Sequence, residues 1–480
     1  MTRRLASVYG ATGNNPRAHV SDGHPYQSRT VWREAGELLA RHRQSVEQST
    51  LLAAMGLFQV IWLMMRWFLM ESPNWHQLAI MVPFAIGATL LGVLAPTRLA
   101  SGLRSVRSSL LHHESALVLV LIAVVLAAGG VHASLRRFHG DEPPSFNAAN
   151  IVAREGASTL FQNYGEIPWL GKQHPPLMPL IYGGAMRLMG INLLVARSIT
   201  ILFTAATIVV TYVLGAELYD RSTGLTAALL LLSFPYTLHM GSMANNDMPV
   251  TFLFALALLL LVRLFRRPTY WLAVAAGVVI GAGMLTKYTM VLVYGVATLF
   301  AIALSAPLRR LIPYLAVALL VSVAILGVWL VYARETGVLS KQIGTVLGYT
   351  GFSETSVLGV ERRWKTRRRI EVMLGRLPSA VGAFSVPILL LSAWHLVRRR
   401  TQSDMLTLAW VAAVSLPIVV LLPDARYFLP AFPALALMMA SGLQSQLGAA
   451  ERPTFLALCC GAQALYLYLV LTQAARIVGG

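Results

Sequence analysis

Charge is scarce in this chain. Only 12% of its 480 residues are Asp, Glu, Lys or Arg and 56% are hydrophobic, whereas a soluble domain carries about 25% charged residues. A water-facing globular domain is therefore excluded for most of the sequence. Acid is scarcer still: 20 Asp and Glu stand against 39 Lys and Arg, for a formal net charge of +19. Cysteine is almost missing. Cys459 and Cys460 are adjacent in an apolar run, where a bond between them or a metal site is not expected. No short apolar core with a small-residue cleavage site precedes Thr50, so no signal peptide is predicted. Internal repeats and low-complexity tracts are also lacking.

What is present is a succession of apolar runs, each about 18 residues or longer and able to cross a hydrocarbon core as a helix. Spans are predicted near 50–70, 77–96, 115–132, 191–214, 223–241, 245–264, 270–286, 289–306, 311–332, 380–397, 405–422, 427–446 and 454–475. The fold class is thus all-α, a polytopic transmembrane bundle of about 13 spans. Residues 1–49 read as a polar cytoplasmic tail and 50–480 as a single transmembrane domain. Two stretches between spans, 133–190 and 333–379, exceed ordinary turns and read as external loops. Within the first, Phe146–Phe161 and Pro176–Met189 are amphipathic and are predicted to lie as helices in the membrane interface.

The positive charge is dispersed among the spans, at places suited to topological anchors, so no nucleic-acid partner is expected. With the N-terminus inside, Arg98, Arg104, Arg107, Arg263, Arg266, Arg267, Arg309, Arg310 and Arg398–Arg400 fall on the cytoplasmic side. The opposite short loops, Glu71–His76 and Gly241–Pro249, carry no Lys or Arg. One loop departs from this pattern: 333–379, predicted outside, holds Arg362, Arg363, Lys365, Arg367, Arg368 and Arg369. Either it binds anions or one span is miscounted.

Chemistry-bearing residues collect at span ends that share the outer side. Asp141-Glu142 follow the third span; a crowded carboxylate pair can deprotonate a hydroxyl or amine, or else simply start a helix. His174 precedes Pro175-Pro176 and could equally be a satisfied loop residue. Arg197 lies at the outer end of the fourth span, suited to anion binding or to pairing with a loop carboxylate. Asp247 sits in Asn245-Asn246-Asp247, a binding group or a helix cap. Lys287 and Arg426-Tyr427 are interfacial anchors or phosphate ligands.

The order acidic pair, His-Pro-Pro-Leu, Ala-Arg, Asn-Asp, Thr-Lys and Arg-Tyr-Phe-Leu-Pro over residues 115–446 resembles that of GT-C glycosyltransferases. It is most similar to the protein O-mannosyltransferase-like and aminoarabinose-transferase-like members. The resemblance implies a sugar transferred from a polyprenyl-phosphate donor on the extracytoplasmic face of the cytoplasmic membrane. The acceptor would be a protein, glycolipid or polysaccharide. It implies Asp141 as the catalytic carboxylate with Glu142 beside it, and His174, Arg197, Asp247, Lys287, Arg426 and Tyr427 around the substrates. The chain departs from the family in three ways. Pro144-Ser145-Phe146 follow the acidic pair where a tyrosine is common, the spans at 50–70 and 77–96 are extra, and a large soluble C-terminal domain is not seen. Asp141, Glu142 and Asp247 would suit a hard divalent ion, but nothing demands one and no cofactor is required. The competing reading is a transporter or flippase for lipid-linked sugars or other anions.

Overall fold

The computed structural model describes residues 114–446 except 136–137, 139, 168–169, 305–307, 351–370, 383–384 and 422–423, together with 57, 58 and 461. The predicted tail 1–49, the spans at 77–96 and 454–475, nearly all of that at 50–70, and the basic run Arg362–Arg369 lie outside the described residues. Among the described residues there is no strand. The all-α reading holds.

Helix α1 covers Glu114–Leu135, followed by α2 (Glu142–Glu155), α3 (Ala157–Gln162), the single turn α4 (Leu170–Gln173) and α5 (Leu177–Met189). Next come α6 (Leu193–Leu218), α7 (Arg221–Ser233), α8 (Pro235–Gly241), α9 (Asp247–Arg266), α10 (Tyr270–Thr286), α11 (Leu292–Leu304) and α12 (Leu308–Glu335). The series closes with α13 (Val338–Thr350), α14 (Leu377–Val381), α15 (Val386–Arg399), α16 (Gln402–Leu421) and α17 (Phe432–Gln446). Six of the described helices are long and apolar enough to cross a membrane, and the bent pair α7–α8 makes a seventh if counted as one span. That pair is the single span predicted at 223–241. It bends by 67° at the Phe234–Pro235 junction, because proline has no N–H for the helix ladder and its ring clashes with the preceding turn.

Starts are set locally. Asn192 Oδ1 accepts from Leu194 N at 2.9 Å to open α6, and Asp220 Oδ1 accepts from Thr223 N at 2.8 Å to open α7. The span that begins at Ala425 is central, with 83% of its apolar window buried, whereas α12 shows only 17% buried and turns its side chains outward. On α6 and α7, Gly215 and Gly224 meet so closely that a Cβ on Gly215 would stand 2.5 Å from the Gly224 Cα. Small residues at a helix crossing allow such contact between backbones.

The stretch 133–190 carries helices at both of its amphipathic segments, as predicted, but the first is split. Gly156, with φ of +96°, divides α2 from α3. Helix α2 packs against α5, and α5 ends in the exposed apolar tip Leu188-Met189, suited to the membrane interface. The α2–α5 packing depends on Gly183, where a Cβ would fall 2.4 Å from the Val152 Cβ and 2.6 Å from the Ala149 carbonyl oxygen. Replacing Gly183 with Val is expected to cost about 1–3 kcal/mol by overpacking. The neighbouring Gly184→Ala, with nothing within 4 Å, should cost nothing. Thermal unfolding of both variants in detergent checks this; equal melting temperatures would remove Gly183 from the packing account.

Candidate active site

Two consecutive residues at the start of α2 point into different surroundings. Gly140, at φ +59°, turns the chain out of the α1 connection, and Pro143-Pro144 favour the first helical turn that follows. Glu142 is fully buried and receives Arg197 in a two-pronged pair, Nε to Oε1 at 2.8 Å and Nη2 to Oε2 at 2.7 Å. The Ala244 N–H donates to Glu142 Oε1 at 2.9 Å, and Arg197 Nη1 donates to the Ala133 carbonyl at 2.5 Å. One ion pair thus joins the end of α1, the start of α2, the start of α6 and the turn before α9.

Asp141 faces the other way. Its Oδ2 accepts from Arg426 Nη1, and the two side chains are 31% and 28% exposed. Arg426 stands in the 3₁₀ turn Ala425–Ala431, which Asp424 opens by accepting from the Arg426 N–H at 3.2 Å. Arg426 Nε is also 3.9 Å from Asp424 Oδ2. The Tyr427 ring is near two cations, with Lys287 Nζ 4.3 Å and Arg426 Cζ 5.3 Å from its centroid. Lys287 in turn is paired with Asp247 Oδ1, both side chains nearly buried. Asp141, Arg426, Tyr427, Lys287 and Asp247 therefore form one continuous line of contacts. Its members come from the α2 start, the turn before α17, the break after α10 and the first turn of α9.

Asp247 does not cap α9 with its side chain. Its N–H is instead bound by Asn245 Oδ1 at 3.0 Å, leaving the carboxylate for Lys287. Tyr182 of α5 locks the same turn, donating to the Asn245 carbonyl at 2.6 Å and sharing a hydrogen bond with Thr200 Oγ1 at 2.8 Å.

His174 lies buried between α4 and α5. Its carbonyl accepts from Tyr164 OH at 2.8 Å and from Gln342 Nε2 at 3.1 Å. Gln342 belongs to α13, and its Oε1 accepts from Tyr288 OH at 2.6 Å. The loop 333–379 thereby reaches the site through α13. Burial, then the nearby Lys287 and Arg426, hold the His174 imidazole well below its ordinary pKa of 6.5, so the ring is neutral at pH 7. Tyr164, Tyr182 and Gln342 were not singled out by sequence; none carries a local motif, and Tyr182 and Gln342 act across 63 and 168 residues of chain. No group of three or more His, Cys, Asp or Glu placed to hold a metal ion occurs among the described residues.

A family model described as dolichyl-phosphate-mannose-protein mannosyltransferase matches residues 173–332, about a third of the chain. The stretch runs from just before His174 through Arg197, Asp247 and Lys287. Solved structures extend the likeness. ArnT from Cupriavidus metallidurans, bound to undecaprenyl phosphate, aligns with TM-score 0.52 and 16% identity over 68% of this chain. Its apo state aligns with 0.51 and 16% over 69%. The chain shares its fold with these two structures. Archaeoglobus fulgidus oligosaccharyltransferase, tethered with an acceptor peptide, aligns with 0.50 and 15% identity over 74%. The chain spans 60% of each ArnT chain and 55% of the oligosaccharyltransferase. A search of curated proteins finds no match to the sequence.

Two outcomes follow for this site. Arg197→Met strands the Glu142 carboxylate and is expected to cost about 3–5 kcal/mol, while the double change Glu142→Leu with Arg197→Met recovers most of it. Urea unfolding midpoints of the three proteins test the pairing; a double variant no more stable than the single would refute it. Below about pH 6.5 an unfolded histidine takes up a proton that buried His174 resists. Stability should therefore be full above that pH and fall as pH drops from it towards the lowered folded value. His174→Gln should flatten this slope in melting temperatures followed from pH 8 to about pH 5.

Proposed function

We propose that this chain is a membrane glycosyltransferase that moves a sugar from a polyprenyl-phosphate donor to a hydroxyl or amine acceptor. The observation that carries the reading is the difference in exposure among three ion pairs. Glu142–Arg197 and Asp247–Lys287 are shut away, whereas Asp141–Arg426 is about 30% open on both sides. That pair alone among the three can exchange its internal partner for a substrate. A donor phosphate competes with Asp141 for Arg426, because arginine offers phosphate the same two-pronged contact as it offers carboxylate. Binding would release Asp141 next to the sugar.

In this reading Asp141 accepts the proton of the acceptor as its oxygen or nitrogen attacks the anomeric carbon. The bond from that carbon to the phosphate oxygen breaks, and configuration inverts. Arg426 meets the charge that gathers on the departing polyprenyl phosphate, while Lys287, held by Asp247, stays behind it against the Tyr427 ring. Neutral His174 stands beside both cations without adding a third charge. Glu142 acts by position, with both oxygens bound. No cofactor enters the step. The fold likeness to an ArnT structure that holds undecaprenyl phosphate supports the donor class, and the same GT-C fold supports an extracytoplasmic site in the cytoplasmic membrane.

Asp141→Asn is expected to lower transfer by about 10²–10⁴-fold. The fold should be unaffected, since the partly exposed pair contributes little to stability. The variant should also retain the donor, which mass spectrometry of its bound lipids would identify. Wild-type turnover in this variant would end the assignment of Asp141 as the base.

A further inference from the structure

A second polar pocket lies at the opposite end of the same helices. Helix α6 runs from the neighbourhood of Arg197 to Glu217, α9 from Asp247 to Arg266, and α10 from Tyr270 to the residue before Lys287. Each has one end at the candidate active site and the other at this pocket, about 30 Å away along α9. The pocket has a volume of about 340 Å³ and is lined by Glu217, Arg263, Arg266, Arg267 and Leu272.

Two guanidinium groups reach Glu217, and a third lines the same pocket. Glu217 Oε1 accepts from Arg263 Nε at 2.8 Å and Nη2 at 2.5 Å. Arg266 Nη2 donates to the Glu217 carbonyl at 2.7 Å, and its Nη1 lies 4.0 Å from Oε2. Arg267 is exposed and has no carboxylate partner among the described residues. Glu217 thus neutralises one of three positive charges. Leu272 supplies an apolar wall, and directly before it in sequence stand Tyr270 and Trp271, 58% and 84% exposed. Exposed Trp and Tyr beside arginine mark the level where hydrocarbon gives way to headgroups.

We propose that this pocket binds the phosphate of an anionic phospholipid headgroup, separately from the sugar donor. Arginine matches phosphate oxygens in a fork, and basic pockets between spans take up acidic headgroups. Helix α10 begins here, so its first N–H groups add to the positive potential. Leu272 and Trp271 would lie along the glycerol and upper acyl carbons. Arg309, Arg310 and Arg398–Arg400 fall on the same predicted cytoplasmic side, where anionic lipid is richest.

Native mass spectrometry of the full chain in detergent, titrated with phosphatidylglycerol or phosphatidylcholine, tests this. Phosphatidylglycerol should bind several-fold more tightly than phosphatidylcholine. Arg267→Gln should weaken phosphatidylglycerol about fivefold. Glu217→Gln should strengthen it, because the internal competitor for Arg263 has lost its charge. Two substitutions with opposite effects cannot both arise from damage to the fold. Equal binding of the two lipids, or weakening by both substitutions, would overturn the proposal. Displacement of phosphatidylglycerol by millimolar inorganic phosphate would also overturn it, assigning the pocket to a soluble anion.

Discussion

A buried carboxylate is costly unless it is paired and hydrogen-bonded, and Glu142 meets that condition through donors drawn from two distant parts of the chain. Arg197 supplies two donors from α6 and the Ala244 N–H a third from the turn before α9, while Arg197 itself reaches back to the Ala133 carbonyl. Moving any of these elements would expose a charge to an apolar interior, a penalty of several kcal/mol. The pair is thereby a geometric constraint on where α1, α2, α6 and α9 begin or end. Asp141 inherits its position from that constraint, being the next residue along the backbone.

Around this anchor the ionic groups are graded by access. Glu142–Arg197 is sealed, Asp247–Lys287 is nearly so, and Asp141–Arg426 is open. The Tyr427 ring is within cation–π range of both Lys287 and Arg426, so the two cations do not depend only on their carboxylates for placement. The sealed pairs keep the geometry, and the open pair is left to exchange partners.

The helical bundle was legible in the sequence because apolar runs in a bilayer have few alternatives to a helix. The line from Asp141 to Asp247 was legible in part, since each member sits at a span end on one predicted side. Three features were not. Glu142 read as a twin of Asp141, yet neighbours at a helix start point about 100° apart, so Glu142 faces the core while Asp141 stays partly exposed. The span at 223–241 and the helix at 146–161 were each read whole, and Pro235 and Gly156 divide them. Finally, the hold of Tyr164 and Gln342 on the His174 carbonyl, and of Tyr182 on Asn245, crosses folded space and leaves no trace in local spacing.

Helix α9 ends in Asp247 on one side and in Arg263 and Arg266 on the other, with apolar residues between. A rod with two exposed arginines at one tip has little freedom to sink that tip along the bilayer normal, because doing so means desolvating two cations, and its other tip is tied to Lys287. The rod therefore works as a depth gauge. Through the Asp247–Lys287 pair it sets the position of Lys287 and its neighbours along the bilayer normal. In the proposed reaction a polyprenyl tail could stay dissolved in hydrocarbon throughout, with only its phosphate and sugar in the site, so the donor need never be lifted from the bilayer.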